Sequence, residues 1–148
     1  MASIDAIIAA VYDVISGDAG VERDWDRFRS LFAPGATLNP VVGRPDGEGF
    51  QRVVITPAEY AERVGGMLER DGFHEVEVHR VTEEYGVIAH AFSTYESRRS
   101  VTDPEPFARG INSIQLLDDG ERWWVISIYW LSESEAFPIP ARYLGGVG

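Results

Sequence analysis

The sequence contains no cysteine, and all 13 of its basic residues are arginine, so lysine is absent as well. The first absence removes disulfides, thiol nucleophiles, thiolate zinc sites and iron–sulfur clusters. The second removes any Schiff-base amine. No apolar run approaches the roughly 18 residues of a membrane-spanning helix. The stretch 1–13 carries Asp5 and Asp13 where a secretion signal would be basic and then apolar. The expectation is a cytoplasmic, unprocessed chain without membrane contact. Glycine motifs for dinucleotides or phosphates are missing, and so is a Gly-x-Ser-x-Gly elbow, so no cofactor is expected and no serine hydrolase. Positive charge is scarce: 13 bases face 24 acids, for a net charge of −11. That field repels phosphate backbones and anionic lipid, which argues against nucleic-acid partners. The one local basic pair, Arg98-Arg99, is flanked by Glu96 and Asp103. Three histidines, His74, His79 and His90, show no pair at helical or alternate-strand ligand spacing, so no metal site is expected.

What is present is an ordinary globular composition: 148 residues, 45% hydrophobic and 11% aromatic. A chain of this length makes one domain, 1–148, and buries roughly 70% of its unfolded surface. Three helical patterns come first. From Ser3 to Ser16, Ile4, Ile7, Ile8, Val11, Tyr12 and Ile15 form one apolar stripe, with Ser3 as N-cap and Gly17 as the stop. A shorter helix is expected over Val21–Leu31, with Trp25, Phe28 and Phe32 on one side. The third opens at Thr56-Pro57-Ala58-Glu59, a capping box with proline in the first turn, and closes at Asp71-Gly72. Strand patterns fill the rest: 36–42 and 50–55 around an Asp46-Gly47 turn, then 74–82, 86–99, 109–117 and 122–132. Asp119-Gly120 marks the hairpin between the last two. Helices followed by a run of antiparallel strands read as α+β, with the helices on one face of the sheet.

The last strand is apolar on both sides. Trp123, Val125, Ser127, Tyr129 and Leu131 alternate with Trp124, Ile126, Ile128 and Trp130. Helices can cover only one face. Either the C-terminal tail, 136–144, returns over the other, or a second copy covers it, because large apolar patches are rare on monomers. The expectation is a homodimer through an outer face made of Trp124, Ile126, Ile128 and Trp130.

Three helices, the phrase Trp25-Asp26-Arg27-Phe28-Arg29-Ser30-Leu31-Phe32-Ala33-Pro34-Gly35-Ala36-Thr37-Leu38 and a closing Trp-rich strand resemble the SnoaL-like branch of the nuclear transport factor 2-like superfamily. The stretches 88–96 and 109–116, with Arg122-Trp123-Trp124 and Pro138-Ile139-Pro140, look like a bacterial subgroup of it. The resemblance spans about residues 4–144. It implies a cystatin-like cone: three N-terminal helices packed on a strongly curved, mainly antiparallel sheet of about six strands, with a pocket at the open end. Such folds host isomerases, dehydratases, cyclases and plain binders, so the fold alone names no reaction.

The resemblance also points to residues. Steroid-isomerase-like members hold an enolate oxygen with a first-helix Tyr and a late-strand acid, and move the proton with an Asp. The motif positions here are Tyr12, Asn112 and Asn39. An amide can donate to an oxyanion, but Asn39 cannot accept a proton, so that base is missing. Dehydratase-like members use a His with Asp and Asn; His90, Asp26 and Asn112 are the candidates here, His90 as general acid/base. Strand alternation sets His90 with Ile88, Phe92 and Thr94, opposite Ala89, Ala91, Ser93 and Tyr95, and leaves open which set faces inward. The expected ligand is a small apolar or aromatic molecule, held by Tyr12, Trp25, Phe28, Tyr60, Val64, Asn112 and Tyr129. Binding without assigned catalysis is the first expectation; a cofactor-independent lyase, isomerase or cyclase is the alternative.

Overall fold

The computed structural model describes residues 2–145, so the ends of the expected 1–148 domain lie outside the described residues. Ser3 accepts a hydrogen bond from the Ala6 amide and opens α1 (Ile4–Ile15). The capping box forms as the sequence implies. Thr56 accepts from the Glu59 amide while the Glu59 carboxylate accepts from the Thr56 amide, and α3 (Pro57–Asp71) follows. Gly72 ends it at φ 79°, where a Cβ would stand 2.6 Å from the Arg99 carbonyl oxygen.

The second helix is shorter than its pattern suggests. α2 (Trp25–Ser30) starts only after Asp24 caps it, because Arg23 is turned inward and buried. Its guanidinium donates to the carbonyls of Ile15, Gly17, Val21 and Leu68, and so ties the ends of α1 and α3 together. Gly17 must stay small for this, since a Cβ there would lie 2.6 Å from the guanidinium. A helical Val21–Arg23 would point that side chain elsewhere.

The strands are β1 (Phe32–Gly43), β2 (Phe50–Arg52), β3 (His74–Tyr85), β4 (Ile88–Arg98), β5 (Ala108–Asp118) and β6 (Trp123–Ser132). They form one sheet in the order β2-β1-β6-β5-β4-β3. Every neighbouring pair is antiparallel except β1 with β6, so the sheet is mixed. α1 packs on β3 and β6, and α3 on β1. The core of Ile7, Ile8, Val11, Phe28, Leu31, Ile114 and Val125 fills the concave side.

Three irregularities bend the sheet, as bulges do. One lies at Ala33-Pro34-Gly35, between Phe32↔Val125 and Thr37↔Ser127. Another falls at Val78, between Glu77↔Tyr95 and His79↔Thr94. The last is at Ile126, between Leu116↔Val125 and Gln115↔Ser127. The extra residue in β6 breaks the strict alternation read from the sequence. Trp123, Val125, Ile128 and Trp130 therefore share the concave face, and the expected outer set of Trp124, Ile126, Ile128 and Trp130 is corrected. Ile128 is buried in the core, and Trp130 packs edge-on to Tyr60. Trp124 does face outward, under the Arg122 guanidinium and with its indole N–H on Asp119. The C-terminal tail returns over the convex side: Phe137 meets Phe50, the Ile139 amide donates to Glu133, and Tyr143 packs on Phe92. Part of the second apolar face is thus covered by the chain itself. Among the described residues, no helix is long and apolar enough to cross a membrane.

Candidate functional site

The open end of the cone holds a cavity of about 200 Å³ between α1, α2, α3 and the concave face. Its walls are mostly aromatic: Phe28, Tyr60, Phe73, Tyr95, Phe107 and Trp130 all contribute. Phe28 stacks on Tyr60 with centroids 5.4 Å apart and tilts against Phe32 at 4.9 Å, so this wall is rigid. Beside the hydroxyls of Tyr60, Tyr95, Ser97 and Ser132, the lining brings together the Glu75 carboxyl from β3, the Asn112 amide from β5 and the Tyr12 hydroxyl from α1.

They form an ordered network. Asn112 Nδ2 donates to Tyr12 Oη at 3.0 Å and, longer, to Glu75 Oε1 at 3.4 Å. Ser93 Oγ donates to Glu77 Oε2 at 2.5 Å, which uses its single proton. At its 2.6 Å contact with Tyr12 the serine must therefore accept, and Tyr12 donates. The Glu77 carboxylate is held in turn by Arg80, which also reaches Asp5. Proton polarity thus runs outward, from Asn112 through Tyr12 and Ser93 to a surface ion pair.

Burial sets the ionisation here. It pushes the Glu75 carboxyl from 4.5 up to about 7, with the Asn112 hydrogen bond pulling back. Burial also raises the Tyr12 hydroxyl, and the nearby Glu75 charge adds to this. Tyr60 moves up for the same two reasons, in the same order. Tyr95, which hydrogen-bonds Ser132, is raised to about 12, mainly by burial. At neutral pH, Glu75 is the group that can gain or lose a proton readily inside the cavity.

Of the residues singled out from the sequence, Tyr12, Phe28, Tyr60 and Asn112 line this cavity together. The others do not. His90 lies on the convex face of β4 beside Glu83, because Ala89, Ala91, Ser93 and Tyr95 take the inward positions. Asp26 is on the solvent side of α2, paired with Arg29. The expected catalytic trio of His90, Asp26 and Asn112 is therefore not assembled. Trp25 stands behind the wall, edge-on to Phe28 and donating its indole N–H to Glu69. Val64 is on α3 outside the lining, and Tyr129 is turned to the convex side by the Ile126 bulge. Asn39 is buried outside the cavity, donating to Thr37 and the Ile128 carbonyl and accepting from Arg52. Among the described residues, no three His, Cys, Asp or Glu side chains gather as a metal site would require.

Glu75 is the functional group that the sequence pattern hid. Glu75 and Glu77 alternate with Val76 and Val78, which reads naturally as acids outward and valines inward. The reverse is built: Val76 is exposed, and both acids face α1. The signal available was that alternation alone, and its direction depends on partners elsewhere in the chain.

A six-stranded curved sheet wrapped on three helices, with the cavity at its open end, settles the architecture. The chain has the cystatin-like, NTF2-like fold. A cystatin-like-fold NTF2-like protein from Novosphingobium aromaticivorans superposes with a TM-score of 0.66 at 17% identity, covering 97% of this chain and 87% of that one. A protein of unknown function with a cystatin-like fold from Nostoc punctiforme gives 0.65 at 12%, covering 89% and 90%. An NTF2-like protein from Streptomyces avermitilis, provisionally described as a dehydratase, gives 0.62 at 11%, covering 93% and 94%. At these identities the likeness carries the NTF2-like fold and no activity. No protein-family model matches the sequence, and no curated protein matches it.

Proposed function

We propose that this chain is a small-molecule-binding domain of the SnoaL-like kind, whose ligand lies in the aromatic cavity and meets Glu75. One observation carries the reading: a carboxyl and an amide converge on a single concave, mainly apolar space, the usual design of a ligand site. An apolar cavity of roughly 150 Å³ accepts benzene, so about 200 Å³ suits one ring with a short chain. The convex face, where Phe92, Ile126 and Tyr129 remain exposed beside Trp124, is the surface for a homodimer in this reading. A cytoplasmic location fits the lack of cysteine.

A second reading, a cofactor-independent isomerase or lyase, rests on Glu75 itself. A carboxyl near neutrality inside a cavity can take a proton from a carbon acid and return it. The hydrogen bonds rank this reading second. An enolate oxygen needs aimed donors; both Asn112 N–H groups and the Tyr12 O–H, the pair that the resemblance assigns to that role, are already committed within the protein, which leaves the hydroxyls of Tyr60 and Ser97. A thermal-shift screen of single-ring compounds tests the binding reading, since ligands selective for the native state raise its apparent stability. Hits that disappear in Tyr60→Ala and persist in His90→Ala support it. Hits indifferent to Tyr60 overturn it. Sedimentation at micromolar concentration tests the dimer, and a monomer there removes it.

A further inference from the structure

Glu75 is the one formally charged side chain in the lining of the cavity, and no arginine or histidine contributes to that lining. Nor does any guanidinium or imidazole among the described residues pair with it. Arg80, on the same strand, is spent on Glu77 and Asp5. Arg98 and Arg109 are spent on Glu96 and Glu133. A carboxylate held partly buried in a mainly apolar pocket without a counter-ion is unfavourable, and its single amide donor at 3.4 Å is a weak substitute. Around it stand Phe28, Tyr60, Phe73, Tyr95 and Trp130, whose rings attract cations, while the face of Phe107 is already taken by the Arg99 guanidinium at 4.0 Å. The whole protein adds a field of the same sign, at a net charge of −11.

We infer that the cavity selects an organic cation: a protonated amine on a single ring and short chain, its ammonium on the Glu75 carboxylate and its ring among the aromatic walls. This rests on the reading of the cavity as the ligand site, and it adds the charge of the ligand. The ammonium supplies the missing counter-ion and replaces the water that Glu75 loses on burial. An anionic ligand of the same shape meets a like charge with no base to offset it.

The proton linkage has a definite sign. Facing Glu75 are Tyr12 from α1, Tyr60 from α3, Tyr95 from β4 and Asn112 from β5, with Glu77 and His74 on its own strand. The tyrosines stay neutral near pH 7, all three being raised. Glu77 is held by Arg80, and His74 is hydrogen-bonded to Asp18. A cation needs Glu75 ionised, so its binding releases a proton below about 7 and strengthens as pH rises through that value. A neutral acceptor needs Glu75 protonated and shows the opposite trend.

Three probes of one shape decide the matter: 2-phenylethylamine, 2-phenylethanol and phenylacetate, titrated calorimetrically at about pH 6 and about pH 8. The expected result is that the amine binds about ten-fold or more tighter than the alcohol at the higher pH. Its affinity should fall several-fold at the lower pH with proton release seen as buffer-dependent heat, and phenylacetate should give no heat. In Glu75→Gln, checked for folding by circular dichroism, amine and alcohol should bind alike. Should that variant not fold, the wild-type pH trend decides by itself. An alcohol that equals or beats the amine, or binding that strengthens at low pH, overturns the cation inference and leaves the binding site standing. Silence from all three probes overturns both.

Discussion

Two of the concavities among the described residues lie back to back across β6, and the larger of the two is the chemically poorer. The outer cleft, of about 500 Å³, lies between the convex face and the returning tail, against Phe92, Ile111, Tyr129, Leu131, Phe137 and Ile139. Its one charged wall residue, Glu133, is held low by Arg109 and by the Ile139 amide. The inner cavity has less than half the room but contains a carboxyl near neutrality, an amide and a polarised hydroxyl chain. Volume follows from how loosely a tail lies on a sheet. Function requires polar groups brought inside against their solvation and given partners, and only the inner cavity shows that.

The contrast can be strained by mutation. Phe28→Ala removes the ring that Trp25, Phe32 and Tyr60 all pack against, and should cost about 3–5 kcal/mol by urea unfolding. Glu75→Gln should do the opposite at high pH. The native carboxyl is raised from 4.5 to about 7, so folding favours its protonated form. Its contribution is intact below about 4.5 and lost as pH rises through about 7. The variant should therefore gain about 3 kcal/mol over wild type near pH 8 and almost nothing near pH 4. A flat pH profile in the wild type would remove the inner cavity's distinction. Tyr12→Phe leaves Asn112 and Ser93 each short of a partner, and should lose about 1–2 kcal/mol. Phe137→Ala, on the half-exposed wall of the outer cleft, should cost under about 1 kcal/mol and leave binding of inner-cavity ligands unchanged.

What the sequence disclosed divides along a physical line. The Ser3 cap, the Thr56–Glu59 capping box and the Asp119-Gly120 turn are local devices, decided within a few residues, and they form where the pattern puts them. The fold class followed from their order. Tyr12, Phe28, Tyr60 and Asn112 were named among the candidates, and they meet in one cavity. The errors gather wherever a distant partner decides. Arg23 leaves its helix to serve carbonyls on α1 and α3. Glu75 faces inward because its register opposite Ser97 of β4 sets it on the concave face. His90 and Tyr129 face outward because of strand parity, and in β6 the parity changes at a bulge that no short window reveals.

That change of parity makes the bulge itself a determinant of what the cavity wall is made of. Upstream of Ile126 the odd-numbered residues of β6 face the helices; downstream the even-numbered ones do. Losing the one codon for Ile126 would restore simple alternation and keep the downstream walls, since Val125, Ile128 and Trp130 would then alternate with Ser127 and Tyr129 without interruption. Smoothing the bulge with every residue retained has the opposite effect: Ile128 and Trp130 turn to the convex side, and Ser127 and Tyr129 enter the lumen with their hydroxyls. The same residues thus encode a second, more polar lining, one register step from the first. In a strand of this kind, an inherited gap at the bulge preserves a pocket's chemistry that a slip of one residue would exchange.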